Sequence, residues 1–343
     1  MHHHPLVPIA FPKRTPLPEG ATLLAADVGG TKTHLALTEI REGELSFLKD
    51  NVYPSRQFGS LAEAIRTFMS GITQRPERVS IAFAGPVQDG KAYATNLGWH
   101  INTRLLMEEL DVPEVFLIND LEAEAYGLAA LTAQDLVTIY PGHPEAKGNA
   151  AIIAPGTGLG EAGLYWDGTA LHPFATEGGH TDFAPRNEFD WELLQYLQNK
   201  YGHVSWERVV SGMGICNIYD FLRDVKKWEE PLWVQEKMKV QEAGAVIGST
   251  AQEGCAISVE TLRVFVRYLA VETSNLALKL NATGGVFIGG GIPPKIWNDH
   301  LQEIFLEHFI QVGRLRPLIE TVPVHVVLNQ KAVLLGAAWY GRT

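Results

Sequence analysis

Two acids that follow short apolar runs are the residues best suited to acid–base chemistry. Asp27 ends the run that begins at Thr22, and Asp120 follows Asn119 directly after the run Val115–Ile118. α/β folds usually place their sites at the carboxyl ends of strands, where an ionised carboxylate can take a proton from an attacking hydroxyl. We expect the N-terminus of the following helix to keep Asp120 ionised. The alternative is that Asp120 is only a helix N-cap, a common structural role of aspartate.

The first of three glycine-rich turns follows Asp27 and contains Gly29 and Gly30. Adjacent glycines let the backbone approach a ligand closely, and their N–H groups and the Thr31 hydroxyl can point at phosphate oxygens. Asp27 could reach a hydrated Mg²⁺. The same residues would also suit an ordinary hairpin turn, and this alternative stays open.

The second turn, Gly156-Thr157-Gly158-Leu159-Gly160, has the spacing of a dinucleotide fingerprint through Gly163. That fingerprint needs a helix after the turn, whereas Ala162–Trp166 predicts a strand. Two interpretations of the second turn remain, a clamp for phosphate groups and a plain tight turn. The third turn, at Gly289, Gly290 and Gly291, could let a base or ribose lie against bare backbone, or it could serve only close packing.

Glu177 and His180 flank two glycines, and their side chains suit hydrogen bonds to neighbouring hydroxyl groups. Zinc would need Cys or His partners nearby, and the sequence offers none at useful spacing. A buried structural histidine is the alternative. Ser205 resembles the N-cap of a helix. Composition alone predicts that Glu207, in the turn that follows, is an exposed surface charge.

Composition excludes several classes of protein. The 343 residues suggest about two domains. With 46% hydrophobic and 20% charged residues, the chain is not a disordered one. The net charge of −11 argues against binding to nucleic acid or to an anionic membrane, since both need dense positive charge. The 2 cysteines cannot build a disulfide scaffold, so a reducing compartment, the cytoplasm, fits best.

Alternating strands and helices predict an α/β fold. The five prolines within residues 1–20 predict a flexible N-terminal extension. We interpret its histidine run as a tag remnant or a plain tail. We expect a small α/β domain over 21–130, completed by 321–343, and a large α+β domain over 131–320. Strands are expected near Ala92–Asn96 and Pro323–Leu328, among others. The predicted helices are 60–71, 191–201, 235–252, 258–280 and 331–340.

Together and in this order, these signals resemble the hexokinase–actin–chaperone ATPase superfamily, and within it the bacterial-type glucokinases. The similar segments are Ala26–Thr31, Leu117–Asp120, Gly156–Gly160, Glu177–Pro185, Gly202–Arg208 and Gly284–Ile288. The resemblance covers about residues 22 to 340. It implies an actin-like, ribonuclease H-like fold, with a cleft between two domains and a homodimer. The related repressor-type kinases carry a cysteine-rich zinc loop after their histidine, and Thr181–Pro185 contains no cysteine, so that branch is disfavoured.

The resemblance also implies roles for individual residues. It implies a glucokinase that phosphorylates glucose from Mg-ATP at the entry to glycolysis, with Asp120 as catalytic base. The glucose-binding candidates are Asn119, Glu177, His180, Glu207 and Asn96. The candidates for binding ATP are Ala26, Asp27, Val28, Gly29, Gly30, Thr31, Gly156, Thr157, Gly158, Gly289 and Gly290, with Asp27 also the candidate metal ligand.

Three alternatives remain at this level. The chain could phosphorylate another hexose or an N-acetylhexosamine, because one loop contact can change the sugar accepted. A sugar-responsive regulator would need a DNA-binding domain, and residues 1–20 are too short and proline-rich for a helix-turn-helix. A sugar-independent ATPase of the same superfamily would not need the Asn119-Asp120 and Glu177–His180 groups.

Overall fold

The structure, a computed structural model, describes residues 6–343 and divides into two compact units. The first unit contains the described residues up to Asp135, together with Asp167–Ala175 and Asn329–Thr343. The second contains Leu136–Trp166 and Thr176–Leu328. The chain therefore returns to the first unit at Asn329, not at residue 321, because strand Val324–Val327 pairs inside the second unit.

The first unit is built on a five-stranded sheet, and a separate two-stranded ribbon accompanies it. Its strands are β1 (Thr22–Val28), β2 (Lys32–Arg41), β3 (Glu44–Pro54), β4 (Arg78–Phe83), the ribbon strands β5 (Lys91–Ala94) and β6 (Trp99–Asn102), and β7 (Glu114–Asn119). The sheet order is β3-β2-β1-β4-β7, with β1, β4 and β7 parallel and β2 antiparallel to β1. Every residue of β4 is buried, as expected for a central parallel strand covered on both faces.

Helices of the first unit are α1 (Leu61–Met69), α2 (Thr103–Leu110) and α3 (Asp120–Gly127), and a C-terminal helix spans Ala332–Arg342. The C-terminal helix packs against α3 through two glycines. A Cβ atom on Gly127 would overlap the carbonyl of Ala332, and one on Gly336 would overlap the carbonyl of Ala123. The helix that carries Asp120 is therefore held by backbone-to-backbone contact with the end of the chain.

The N-terminal segment differs from the expected flexible extension over its described part, residues 6–20. Leu17 is buried in a cluster with residues of the C-terminal helix. The guanidinium of Arg14 lies over the rings of Phe116 and Tyr340. Prolines suit this extended packing because it does not depend on a regular backbone ladder. The histidine run at residues 2–4 lies outside the described residues.

The second unit contains a second sheet and most of the helices. Its strands are β8 (Leu136–Tyr140), β9 (Ala150–Pro155), β10 (Leu159–Trp166), the end of β11 (Leu171–Thr176), β12 (Gly285–Ile288) and β13 (Val324–Val327). Within the unit the order is β10-β9-β12-β13-β8. β9, β12 and β13 are parallel, and the hairpin partner β10 is antiparallel to β9. All six residues of β9 are buried.

The helices of the second unit are α4 (Glu188–Tyr201), α5 (Gly212–Asp224), α6 (Leu232–Met238), α7 (Ala243–Gln252), α8 (Ala256–Leu280), α9 (Pro293–Ile296), α10 (Asp299–Phe309) and α11 (Arg316–Ile319). The 25-residue α8 crosses the core, where Phe265 and Leu269 are fully buried. The single helix expected over 235–252 is instead two helices. The second begins after Glu242, whose carboxylate accepts from the N–H groups of Gly244 and Ala245 and so caps a new start.

No helix within residues 6–343 is long and apolar enough to cross a membrane.

Candidate active site

The first glycine turn joins β1 to β2 and is braced by a buried serine. The N–H of Gly29 donates to the carbonyl of Lys32 at 2.9 Å, which closes the hairpin. The Ser55 hydroxyl donates to the carbonyl of Gly29 at 2.8 Å, and its N–H donates to the carbonyl of Thr31 at 2.9 Å. Gly30 and Thr31 remain exposed. Ser55 follows β3 and belongs to no recognisable motif, so the sequence does not predict this role.

Asn96 lies beside this turn. A Cβ atom on Gly30 would stand 3.6 Å from the Asn96 amide nitrogen, and Asn96 itself is exposed. A candidate sugar ligand is therefore next to a candidate phosphate-binding glycine in the same unit.

Asn119, rather than Asp120, is the N-cap of α3. Its Oδ1 accepts from the N–H groups of Leu121 at 2.9 Å and Glu122 at 3.2 Å, and its amide donates to the carbonyl of Gly85 at 3.1 Å. The capping role considered for Asp120 thus belongs to its neighbour. Asp120 is the first residue of the helix, at the carboxyl end of β7 and half-buried.

The pKa of Asp120 is raised, contrary to the expectation that the helix N-terminus keeps this carboxyl ionised. Burial raises the pKa of Asp120 to about 7, and the negative charges of Asp27 and Glu124 add to the effect. The hydrogen bond from the Leu121 N–H lowers the pKa but does not outweigh these causes. Burial likewise raises the pKa of Asp27 to about 6. A base with a pKa near the working pH is well matched to proton transfer.

The second glycine turn joins β9 to β10 and is closed by its own backbone and by Glu207. The N–H of Gly156 donates to the carbonyl of Gly158 at 2.8 Å, and the N–H of Gly212 donates to the carbonyl of Gly156 at 2.8 Å. The carboxylate of Glu207 accepts from the N–H of Leu159 at 3.1 Å. A Cβ atom on Gly158 would overlap this carboxylate, so a side chain there would displace Glu207.

The third glycine turn meets the second at the end of β9. The N–H of Gly289 donates to the carbonyl of Ile153 at 2.9 Å. Gly290 has a φ of +78°, and a Cβ atom there would stand 2.5 Å from the carbonyl oxygen of Pro155. Both conditions demand glycine.

The segment from Glu177 to His180 forms a short 3₁₀ turn that backbone hydrogen bonds join to the segment carrying Glu207. The N–H of Phe183 donates to the carbonyl of Val204 at 2.9 Å, and the N–H of Trp206 donates to that of Thr181 at 3.0 Å. The side chains of Glu177 and His180 are exposed, and neither makes a hydrogen bond to another residue in the described part of the chain.

Glu207 lies in a 3₁₀ turn, Trp206–Arg208, and not in the first turn of a helix capped by Ser205. The α-helix starts later, at Gly212, where the Ser211 hydroxyl accepts from the N–H of Gly214 at 3.0 Å. The sequence contains two serines before this helix, and the hydrogen-bonding geometry selects the second.

The predicted residues form one group in each unit. The first unit brings together Ala26–Thr31, Asn96, Asn119 and Asp120 at the carboxyl ends of β1 and β7 and their neighbouring loops. The second brings together Gly156–Gly158, Glu177, His180, Glu207, Gly289 and Gly290 around the end of β9.

The family described as Glucokinase matches residues 24–343 of this chain. The chain belongs to the glucokinase family. A glucokinase of Nostoc sp. is 43% identical over 335 residues, which is 92% of this chain and 97% of the relative. Among solved structures, a glucokinase from an Antarctic psychrotroph is 33% identical and has a TM-score of 0.78. The match covers 93% of this chain and 98% of that one.

A more distant structure shares the fold of this glucokinase-family chain. A ROK family glucokinase from Streptomyces griseus, solved with glucose and AMPPNP, is 21% identical with a TM-score of 0.63. The match covers 94% of this chain and 99% of that one. The α/β fold expected from the sequence, that of the actin-like sugar kinases, is thereby confirmed.

Proposed function

We propose that this glucokinase-family chain transfers the terminal phosphoryl group of ATP to the 6-hydroxyl of glucose and that Asp120 is the general base. The reaction follows from the family, whose members match along almost the whole chain. The role of Asp120 rests on one observation: a half-buried carboxyl at a strand end, with its pKa raised to about 7. Such a group is ionised in a large fraction of molecules at neutral pH and still basic enough to accept a proton.

The sugar would be held by groups that carry complementary hydrogen-bonding capacity. Glu177 and Glu207 can accept from hydroxyl groups, and His180 can accept or donate. Asn119 uses its oxygen for the helix cap and one amide N–H for the Gly85 carbonyl, so its second amide N–H is what it can offer a sugar. Asn96 completes this proposed set. Orientation of the 6-hydroxyl and exclusion of water then favour transfer to the sugar over hydrolysis.

The nucleotide would use the three glycine turns. Ala26–Thr31 and Gly156–Gly158 would line the phosphates, with the exposed Gly30, Thr31 and Thr157 offering N–H groups and hydroxyls to phosphate oxygens. Gly289 and Gly290 would supply bare backbone for the adenosine. Use of ATP is expected of the family, and the Streptomyces griseus neighbour was solved with an ATP analogue. Turns of this kind neutralise phosphate charge with fixed dipoles and need no large rearrangement.

The residues present fit a Mg²⁺ ion that travels with the nucleotide. No group of three or more His, Cys, Asp or Glu residues within 6–343 is arranged to hold a metal ion by itself. Mg²⁺ typically takes one or two carboxylates and fills its remaining positions with water and substrate phosphates. Asp27 is the carboxylate proposed for it, because it lies at the end of β1 beside the first glycine turn, where burial raises its pKa to about 6 and a nearby cation would stabilise its charge. When bound, the ion would neutralise charge on the transferring phosphoryl group.

The cellular setting is part of the same proposal. A glucokinase would act at the entry to glycolysis, in the cytoplasm, and we expect a homodimer without nucleic-acid or membrane partners. Kinases of other hexoses and a sugar-independent ATPase are the competing functions. A panel of hexoses at equal concentration, with ADP release as the readout, separates them: dependence on glucose supports the proposal, and release without sugar contradicts it.

The decisive experiment replaces Asp120 with asparagine. We expect kcat to fall by about 10²–10⁴-fold, with ATP binding retained, because asparagine keeps the shape and cannot accept the proton. The matched control is Glu122→Gln, an acid on the same helical turn that has no assigned role. Turnover in Asp120→Asn close to that of the control would disprove the role of Asp120.

A further inference from the structure

A buried carboxyl lies directly under the proposed sugar-binding loop and takes no part in the mechanism above. Glu161 is on β10 and only 1% exposed. Within the described residues, its Oε1 atom is buried and no N–H or hydroxyl group donates to it. A carboxylate in this position would carry an unpaired buried charge, which is strongly unfavourable.

The partner of Glu161 is a second buried carboxyl, Glu272 on α8, which is completely shielded from solvent. Both oxygens of Glu272 already accept hydrogen bonds, one from Lys279 at 2.9 Å and one from Asn275 at 2.8 Å. These donors stabilise the ionised form of Glu272. Two carboxyls can hydrogen-bond to each other only when one of them holds a proton, and the donors on Glu272 favour Glu161 as the carboxyl that holds it.

The same carboxyl touches the loop that carries Glu177 and His180. A Cβ atom on Gly178 would overlap Oε2 of Glu161, so the loop backbone lies against the carboxyl without a side chain between them. The adjoining strand is tied to the backbone of Glu161 as well, because the Thr176 hydroxyl donates to the Glu161 carbonyl at 2.9 Å. The loop and the strand before it are thus both in direct contact with Glu161.

We propose that Glu161 is a positioning residue for glucose binding: its carboxyl, joined to Glu272 by one shared proton, supports the Glu177–His180 loop from below. The inference rests on the proposed sugar-binding role of that loop. With one proton present, the single negative charge of the pair is balanced by Lys279. Without it, two buried carboxylates repel each other beneath Gly178, and the loop that rests on them must shift.

Loss of the shared proton gives the inference a measurable signature. Burial, the charge of Glu272 and the hydrogen bond between the two carboxyls raise the pKa of Glu161 to about 8, while Lys279 opposes the shift. The loop packed on the pair also carries Glu177 and His180, and Glu207 approaches from the neighbouring turn. If only the protonated pair supports the loop, the KM for glucose rises about tenfold for each pH unit above that midpoint.

The experiment measures KM for glucose, KM for ATP and kcat between pH 6.5 and about 9.5 in the full chain and in Glu161→Gln. The amide of glutamine can donate to Glu272 as the shared proton does, but it cannot titrate. We expect Glu161→Gln to keep the neutral-pH KM and to abolish the alkaline rise in KM for glucose, with kcat and KM for ATP unaffected. Glu303→Gln, an exposed glutamate on α10, is the matched control and should keep the wild-type profile.

Two further variants separate the outcomes. Glu161→Ala removes the support and should raise KM for glucose across the whole pH range; if it does not fold, the glutamine variant still decides the question. Glu177→Gln tests the sugar site itself, and an unchanged KM there would refute the proposed site and this inference with it. If Glu177→Gln raises KM while Glu161→Gln retains the wild-type alkaline rise, the sugar site stands and only the role of Glu161 is overturned.

Discussion

The carboxylate of Glu207 accepts a hydrogen bond from the backbone N–H of Leu159 at 3.1 Å. This contact joins a candidate sugar ligand to the second glycine turn, where the same carboxylate lies so close to Gly158 that a Cβ atom there would overlap it. One acid thus fixes the backbone proposed to bind phosphate while keeping capacity to accept from a sugar hydroxyl, since a carboxylate offers about four acceptor positions.

Substitution of Glu207 should distinguish its two contacts. In Glu207→Gln the side-chain oxygen can still accept from Leu159, so we expect KM for ATP to stay near wild type while KM for glucose rises. In Glu207→Ala the Leu159 N–H loses its partner, and both constants should rise, by about tenfold or more for a hydrogen bond to a charged group. Steady-state kinetics on both variants provide the test. Equal effects of the two variants on KM for ATP would show that the Leu159 contact is unimportant.

The pH dependence of activity should report the carboxyl cluster of the first unit. Asp120 must be ionised to accept a proton, so kcat/KM for glucose should rise as pH increases through about 7. Glu124 is one of the charges that raise the pKa of Asp120. In Glu124→Gln we therefore expect this acidic limb to move to lower pH, whereas Glu122→Gln, whose charge is not among the causes, should leave it in place. A limb unmoved in Glu124→Gln would contradict the electrostatic coupling.

The glycine turns and the strand-end acids were predictable because each is a local pattern. Gly29 and Gly30 between two apolar runs specify a hairpin, and Asp120 after Val115–Ile118 specifies a strand end. The supports of these residues were not predictable. Ser55 and Glu161 reach their partners only through the fold, and no spacing in the sequence links Glu161 to Glu272. The raised pKa of Asp120 is not predictable for the same reason, since burial in the fold and the charge of Asp27, which is distant in the sequence, cause it.

Ser55 offers a test of how far the first glycine turn depends on its brace. Its hydroxyl is fully buried between the Gly29 carbonyl, at 2.8 Å, and the Thr33 hydroxyl, at 2.9 Å. Ser55→Ala leaves these groups without their partner and should reduce the free energy of unfolding by about 1–3 kcal/mol. We also expect KM for ATP to rise with little change in KM for glucose. The control is Ser70→Ala at an exposed serine, and a KM for ATP equal in both variants would exclude a role for the brace.

The free energy of unfolding, measured as a function of pH, tests independently of activity whether Glu161 holds a proton in the folded chain. The pKa of Glu161 is raised from an ordinary value of 4.5 to about 8 in the folded chain. A raised pKa means that the folded state holds the proton more tightly than the unfolded state. This contribution to stability is therefore complete below about pH 4.5 and is lost as pH rises through about 8.

Between these values the wild-type free energy of unfolding should fall relative to Glu161→Gln, with a slope approaching about 1.4 kcal/mol per pH unit for one proton. Urea unfolding of the wild type, Glu161→Gln and Glu303→Gln at a series of pH values measures this difference. Parallel curves for the wild type and Glu161→Gln would mean that Glu161 holds no extra proton in the folded chain.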